Sequence, residues 1–432
     1  MERYKEYKET IIPWLKEIPS HWEEIKVKFI ANISKGNGIT KLDVFEDGDT
    51  PCVRYGEIYT KYNNSFRSCY SSTFKDLIKS PRYFEYGDIL VSGTGELVEE
   101  IGKSVVYMGK DICLAGGDII ILKHCQNPIF LNYALNTKYT QEQKSFGKAK
   151  LKVVHVSSSE IGGLFITLPP LDEQEKIVSY LESKTSKIDE YIAEKEKEVQ
   201  LLNELKEAEI AKVVTQGLNP NVKMKDSGIS WIGMIPEHWE VKRVASLFTG
   251  KVNTNSDFAY QHAFKFYYGT LVPKDEVGDA EEYRETYVKY QVLRKDDILI
   301  NGLNLNYDFV SQRVAIAPSD GIITSAYIVA RPRKGTNADY YNYLFKAMDS
   351  KKLFHGMGTG IRLTLSFDEL KKQIVVCPPA DEQRAIVAYI NDKTAKVESL
   401  ITELQAEIEH LKEYKQRLIA DCVTGQVNVQ NE

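Results

Sequence analysis

His21-Trp22 and His238-Trp239 are the first side chains to weigh for chemistry, since an imidazole can ligate a metal or carry a proton. Each pair supplies one histidine with no second ligand at a zinc spacing, so packing is the better reading of both. Gly95 to Ser104 reads GELVEEIGKS and imitates a phosphate loop. A phosphate loop needs four residues between its glycines so that backbone N–H groups wrap the phosphate. Here six separate Gly95 from Gly102, Leu97 stands where the first glycine belongs, and a strand-like run follows. Leu168-Pro-Pro-Leu171 and Cys377-Pro-Pro-Ala380 lack the amide or carboxyl before the prolines, and the aromatic after them, that an amino-methyltransferase tetrapeptide requires. No glycine-rich S-adenosylmethionine loop and no nuclease carboxylate cluster with a partner lysine accompanies them. The six cysteines (52, 69, 113, 125, 377 and 422) form no CxxC pair, which suits buried free thiols better than disulfides or zinc. The chain is not expected to be an enzyme.

What remains is polar and aromatic residues beside strands. Arg54, Tyr55, Tyr59, Lys61, Asn63, Asn64 and Arg67 are dense in the first half. Thr94 and Glu96 follow a strand-like run ending at Gly93, and Lys148, Lys150 and Lys152 follow Gly147. In the second half Asn301, Asn304, Asn306, Tyr307 and Arg313 follow DILI, with Thr359 and Arg362 in GTGIRLT. Asn and Arg side chains pair bidentately with base edges, while Lys and backbone groups hold phosphates. These are candidate DNA contacts; the plainer alternative is that many are ordinary surface loop residues.

The elements that must position them are written twice. Trp14–Glu23 (WLKEIPSHWE) matches Trp231–Glu240 (WIGMIPEHWE) at six of ten positions. Pro169–Glu194 (PPLDEQEKIVSYLESKTSKIDEYIAE) matches Pro378–Glu403 (PPADEQRAIVAYINDKTAKVESLITE) at 13 of 26. The enclosed stretches, 24–168 and 241–377, share little beyond GDILVSG (87–93) and DDILING (296–302). A duplicated frame therefore carries two different contents. Ile390, Val397, Ile401, Leu404, Ile408, Leu411 and Leu418 form a heptad seam. Leu181, Ile188, Ile192, Val199 and Leu202 match it in the first copy, interrupted by Lys195 and Lys206. Pro-Pro-x-Asp entries place Asp172, with Glu175, as a capping box and Asp381 as a simple cap. Gly217 and Gly425 close the helices in the positive φ of a C-cap, giving about 45 residues each at 1.5 Å per residue. The chain already holds a matching partner for each seam, so an antiparallel pair with a pseudo-two-fold internal repeat is expected. Between the frame segments, 51–60, 88–93, 104–109 and 118–123 read as strands, with 265–272, 297–302, 313–318 and 326–332 as counterparts. A short helix is expected around Phe130–Asn136 and another around Tyr340–Met348. The fold class is α+β.

Charge supports this division. The whole chain carries −5, but 24–165 is +2 and 241–376 is +4, whereas 170–217 is −5 and 378–425 is −3. Mildly basic domains beside acidic helices leave DNA binding open, because phosphate contacts need a local patch. No apolar run approaches the ~18 residues of a membrane span, and MERYKEYKET is too charged for a secretory signal, so a cytoplasmic protein without membrane contact is expected.

The IPxHWE opening and the PPxDEQxxIVxY helix entry, each present twice and in this order, resemble the specificity subunit of type I restriction-modification systems. The resemblance implies two α/β target recognition domains separated by two conserved helices in an antiparallel coiled coil. The segments would be 1–168 (first recognition domain), 169–217 (central helix), 218–377 (linker and second recognition domain) and 378–432 (distal helix and tail). It implies a non-catalytic subunit that reads a bipartite site in double-stranded DNA. Its partners would be two modification (methyltransferase) subunits and restriction (translocase) subunits. S-adenosylmethionine, ATP and magnesium would belong to those partners, with no cofactor in this chain. A coiled-coil scaffold binding only proteins is the alternative.

Overall fold

The structure, a computed structural model, describes residues 2–12, 14–95, 97–148, 153–274, 280–360 and 363–430. It divides into two compact units, Met1–Lys195 with Ala406–Glu432, and Glu196–Gln405. Each unit takes its residues from both long helices.

In the first unit a five-stranded sheet runs in the order Ala31–Lys35, Ile119–His124, Ile89–Ser92, Ser104–Tyr107, Ser65–Phe66, antiparallel except for the last pairing. Side chains alternate between its faces with the period of two that a strand imposes. Ile89, Val91, Val106, Ile120 and Leu122 enter one core, with helix Pro128–Leu135 and the long helices. Leu90, Val105, Tyr107, Ile119 and Ile121 enter another, against the four-stranded sheet Ser71–Thr73, Thr50–Val53, Cys113–Ala115, Tyr83–Phe84. Burial on both faces explains the unbroken IIIL run at 119–122.

The second unit repeats the central sheet with unlike residues. Its order is Phe248–Thr249, Ile328–Pro332, Ile298–Ile300, Val314–Ile316, all antiparallel. Ile298, Ile300, Val314 and Ala330 face the core holding helix Ala338–Ser350, while Leu299, Ala315 and Val329 face the other way. DILV and DILI occupy the same place in the two sheets. Each domain also opens and closes on one ribbon, Glu23–Lys26 with Phe165–Leu168 and Glu240–Arg243 with Ile374–Cys377.

Two expected strands differ from the structure: 265–272 is a hairpin, with Phe264–Tyr267 paired antiparallel to Thr270–Pro273, and 51–60 is a strand only in its first half. Thr50–Val53 is a strand, but Tyr55–Thr60 is helical. Glu57 accepts the Arg54 backbone N–H at 3.1 Å, its guanidinium at 2.8 Å and the Ser71 hydroxyl at 2.6 Å. That local capping outweighs the β preference of the aromatic and branched residues.

The long helices are Leu171–Gln216 and Ala380–Val423, 46 and 44 residues. Both start two residues earlier than the Asp caps require. Gln174 N–H bonds the Pro170 carbonyl and Gln383 N–H that of Pro379, each at 3.0 Å, so Asp172 and Asp381 lie inside the first turn. There their carboxylates meet the positive end of the helix dipole without closing a capping box. Gly217 and Gly425 end the helices at φ 78° and 73°, as a C-cap glycine should.

Within each unit the helix segments run antiparallel. Asp189 pairs with Lys415 at 2.6 Å and Lys195 with Glu407 at 3.1 Å in the first unit. Lys206 pairs with Glu398 at 3.6 Å, and Tyr389 donates to Glu209 at 2.8 Å, in the second. Asp189–Lys415 and Glu398–Lys206 are one interaction made once by each copy. Leu181, Ile192, Ile408 and Leu418 are buried in the first unit, and Ile390, Ile401 and Leu404 in the second. Ile188, Leu411, Val199, Leu202 and Val397 are half-buried. Each buried Leu or Ile contributes roughly 1.5–3 kcal/mol. The lysines that interrupt the sequence seam thus sit at its edge and carry cross-helix ion pairs.

All six cysteines are free; Cys52, Cys113 and Cys422 are buried, Cys69 and Cys377 half-buried, and Cys125 exposed, so burial accounts for only part of the set.

Candidate nucleic-acid interface

The repeated motifs meet at one joint in each unit. Trp22 is fully buried and its indole N–H donates to Glu173 at 3.0 Å, while His21 Nε2 lies 2.7 Å from the same carboxylate. Trp239, also fully buried, donates to Glu382 at 3.0 Å, with His238 Nε2 at 2.5 Å. Gln174 and Gln383, next in each DEQ, tie back to the carbonyls of Pro169 and Pro378 at 2.9 and 2.8 Å. The far end of the other helix closes the joint. A Cβ on Gly425 would lie 2.3 Å from Pro19, and one on Gly217 would lie 3.1 Å from Trp239. The histidines therefore serve packing, as their repetition suggested. The roles of Glu173 and Glu382 went unread, although their identity in both copies was the signal. Among the described residues no group of three His, Cys, Asp or Glu is arranged to hold a metal.

In the first domain Tyr62 stacks on Phe66 at 4.1 Å and accepts the Tyr70 N–H at 2.7 Å, stapling a loop across its base. Lys61, Asn63 and Arg67 project from it, Lys61 over the Tyr70 ring at 4.1 Å, and Tyr55 is exposed nearby in the sequence. Other candidates are spoken for. Arg54 is held by Glu57, and Asn64 accepts from Asn132 at 2.6 Å. Tyr59 donates to the Glu100 carbonyl at 3.3 Å, and burial pushes its phenol above the ordinary range. Thr94 is buried against His155 at 3.1 Å, and Lys148 bridges the His155 carbonyl and Glu160 at 2.7 and 2.6 Å. Thr94 and Lys148 thus stabilise the loop ends and do not face outward as expected. Glu96, Lys150 and Lys152 lie outside the described residues, as does Arg362.

Two features escaped the sequence reading here. Lys26 and Lys28 border an open groove of about 600 Å³ with Asn32, Ser158 and Ser159. Lys144, fully buried, donates to the carbonyls of Gly102 and Leu135 at 2.7 and 2.6 Å; burial pulls its pKa down to about 7.

The second domain does bring its separated candidates together. Segment 301–313 meets 363–365 through Leu305 N–H to Leu363 O at 3.2 Å and Leu365 N–H to Gly302 O at 2.9 Å, and Thr359 pairs with Thr364 of that segment. Thr359 is thereby placed beside the loop carrying Asn301, Asn304, Asn306 and Tyr307. Asn304 and Tyr307 are exposed, whereas Asn301 and Asn306 are half-buried. Arg313 is a correction. It is 1% exposed, and its guanidinium donates to the carbonyls of Asn301, Leu303 and Asp308 at 3.1, 2.9 and 2.7 Å. A residue so committed shapes the loop and leaves no donor pair for a base. Sequence gave its charge but not the inward turn that lets one cation satisfy three carbonyls.

Comparison with known proteins agrees with this arrangement. A family model described as the type I restriction modification DNA specificity domain matches residues 19–201 and 236–410. The chain is 25% identical over 447 residues to a putative type I restriction enzyme MjaX specificity subunit of Methanocaldococcus jannaschii, covering 99% of both. It is 21% identical to the type I restriction enzyme EcoBI specificity subunit of Escherichia coli, over 99% of this chain and 90% of that one. In fold it is similar to a chain from a structure on complex assembly and conformational transition of the type I R-M system. The TM-score there is 0.70 at 15% identity, over 95% of this chain and 99% of that one. The HsdS subunit of Thermoanaerobacter tengcongensis gives 0.51 at 16%, over 97% and 100%.

Proposed function

The chain belongs to the type I restriction modification DNA specificity family, and from that premise we propose that its two recognition domains each read one half of a split DNA sequence. It is a specificity subunit and non-catalytic. The observation that carries the two-half-site reading is the joint at Trp22–Glu173 and Trp239–Glu382, built twice around domains whose exposed loops differ. A shared joint fixes position, and unlike loops read unlike bases. In the first domain Lys61, Asn63, Arg67 and Tyr55 are the residues for contact; in the second they are Asn304, Tyr307 and Thr359. Lys and backbone groups would hold phosphates, and Asn and Arg the base edges.

The partners are two modification subunits and the restriction subunits of the same system, with S-adenosylmethionine bound by the former and ATP and magnesium used by the latter. Among the described residues no helix is long and apolar enough to cross a membrane. No observation favours a scaffold that binds only proteins.

Exchanging 241–377 for the equivalent domain of another specificity subunit tests the reading. Sequencing of methylated sites in cells carrying the hybrid and its partners should show one half of the motif replaced and the other retained. A change in both halves, or in neither, would sink it.

A further inference from the structure

Tyr307, Phe309 and Val310 are 78%, 55% and 90% exposed, three large apolar side chains within four consecutive residues. Apolar groups crowded on one loop are a costly surface unless something covers them. The loop beneath them is rigidly built. Arg313 gathers the carbonyls of Asn301, Leu303 and Asp308 from inside. The Asp308 carboxylate accepts the N–H groups of Val310 and Ser311 at 3.0 and 2.9 Å. His355 approaches the Asp308 carbonyl at 3.1 Å, and its ring stacks on Phe309 at 4.6 Å. Leu305 is fully buried, anchoring the root. Little ordering entropy remains to be lost on binding.

Charge decides what such a loop does. From Leu303 to Gln312 the only side chain charged near neutral pH is Asp308, so the segment brings no cation of its own to a phosphate. Positive charge and a hydroxyl come instead from neighbouring segments: exposed Lys351 lies two residues after Asp349, whose carboxylate accepts the Arg313 N–H at 2.6 Å, and Thr359 is paired with the segment that bonds Gly302 and Leu305. An apolar tip whose one carboxylate, Asp308, lies 3.9 Å from the Arg313 guanidinium, and which has a lysine and a hydroxyl on neighbouring segments, suits a groove floor, where thymine methyls and base edges are read by contact. A protein partner fits less well. Two aromatics at roughly 150–250 Å² each and a valine fall short of the ~800 Å² that a stable interface buries on each side.

We propose that Leu303–Gln312 is a pre-formed apolar finger of the second domain that enters a DNA groove and discriminates bases through Tyr307, Phe309 and Val310. The proposal rests on the DNA-reading function above and names its mode in one half-site. Arg313 is its positioning residue.

The test uses the full chain assembled with its modification subunits and a ~40 bp duplex carrying the motif recovered from methylated host DNA. Phe309→Ala/Val310→Ser and Tyr307→Ala should each lower discrimination against single-base changes in the second half-site by on the order of ten-fold or more. Discrimination in the first half-site and the slope of log K against log salt should stay as in the parent. Lys351→Gln should do the reverse, lowering the salt slope by about 1 and leaving base preference intact. Unchanged second-site discrimination in variants that melt like the parent would overturn the finger. So would loss of complex assembly on size exclusion, which would make the loop a protein contact. If the parent complex itself shows no preference for the motif, the DNA-reading function falls, and the finger falls with it.

Discussion

Glu173→Ala should destabilise the first unit more than Glu382→Ala destabilises the second, although the two glutamates are copies of one residue. Glu173 is 13% exposed and accepts from Trp22 at 3.0 Å and Tyr4 at 3.2 Å, with His21 at 2.7 Å. Glu382 is 35% exposed and has only the Trp239 and His238 contacts among those seen at Glu173. Truncation orphans a fully buried indole N–H in both, at about 1–3 kcal/mol. Each also loses a first-turn carboxylate, at about 0.3–1 kcal/mol. Water reaches the more open Glu382 site and restores part of the loss, whereas Tyr4 adds to it at Glu173. We expect roughly 2–4 kcal/mol for Glu173→Ala and about 1–2 kcal/mol for Glu382→Ala. Hydrogen exchange read by mass spectrometry reports each unit separately, on strands Ile119–His124 and Ile298–Ile300. Opening in the first unit should rise by about 30-fold or more in Glu173→Ala, at 1.36 kcal/mol per decade. Equal losses in the two variants, or none in Glu173→Ala, would refute the view that these carboxylates lock the domains to the helices.

The two C-cap glycines should also differ. Gly425→Ala meets Pro19 at 2.3 Å as well as a φ of 73°, and should cost about 2–5 kcal/mol. Gly217→Ala meets Trp239 at 3.1 Å at φ 78° and should cost about 1–2 kcal/mol, both compared by urea unfolding. Lys144 makes stability depend on pH. Its folded pKa near 7 lies below its unfolded value, so the unfolded chain binds more protons between about pH 7 and 10.5 and stability rises with pH across that window. The cost of burying the ammonium is fully present below pH 7. Lys144→Met should flatten the rise in urea midpoint between pH 7 and 10, and an unaltered slope would remove Lys144 as its source.

The frame was legible because it is written twice. Identity at Trp22, Glu173, Gly217 and their copies marks residues that touch one another, and heptad spacing marks the seam. The DILV and DILI strands were legible as apolar runs. Helix Tyr55–Thr60 was hidden because one carboxylate, Glu57, captures its own N-terminus, a contact that propensity does not contain. The loops were least legible. Arg313, Thr94 and Lys148 have the right types for DNA contact, but their direction depends on which carbonyls, rings and carboxylates the fold brings near. Phe309 and Val310 were passed over because apolar residues suggest a core, and only their exposure shows otherwise.

The first unit is completed by a segment that is made after the whole of the second unit. Thr167 donates to the Val423 carbonyl at 2.6 Å, Tyr7 to that of Gly425 at 2.8 Å, and Asn428 N–H to that of Glu2 at 2.9 Å. Glu196–Gln405 is wholly synthesised before Ala406–Glu432 exists, so the second unit has all its residues first. Until then Trp22 and Leu181 lack the Gly425 turn and Leu418 that cover them in the finished protein. A nascent or truncated chain ending near residue 405 therefore displays an apolar surface of the kind chaperones and proteases bind. Order of synthesis thus makes the first unit mature after the second, and gives the cell a means of removing chains that stop short.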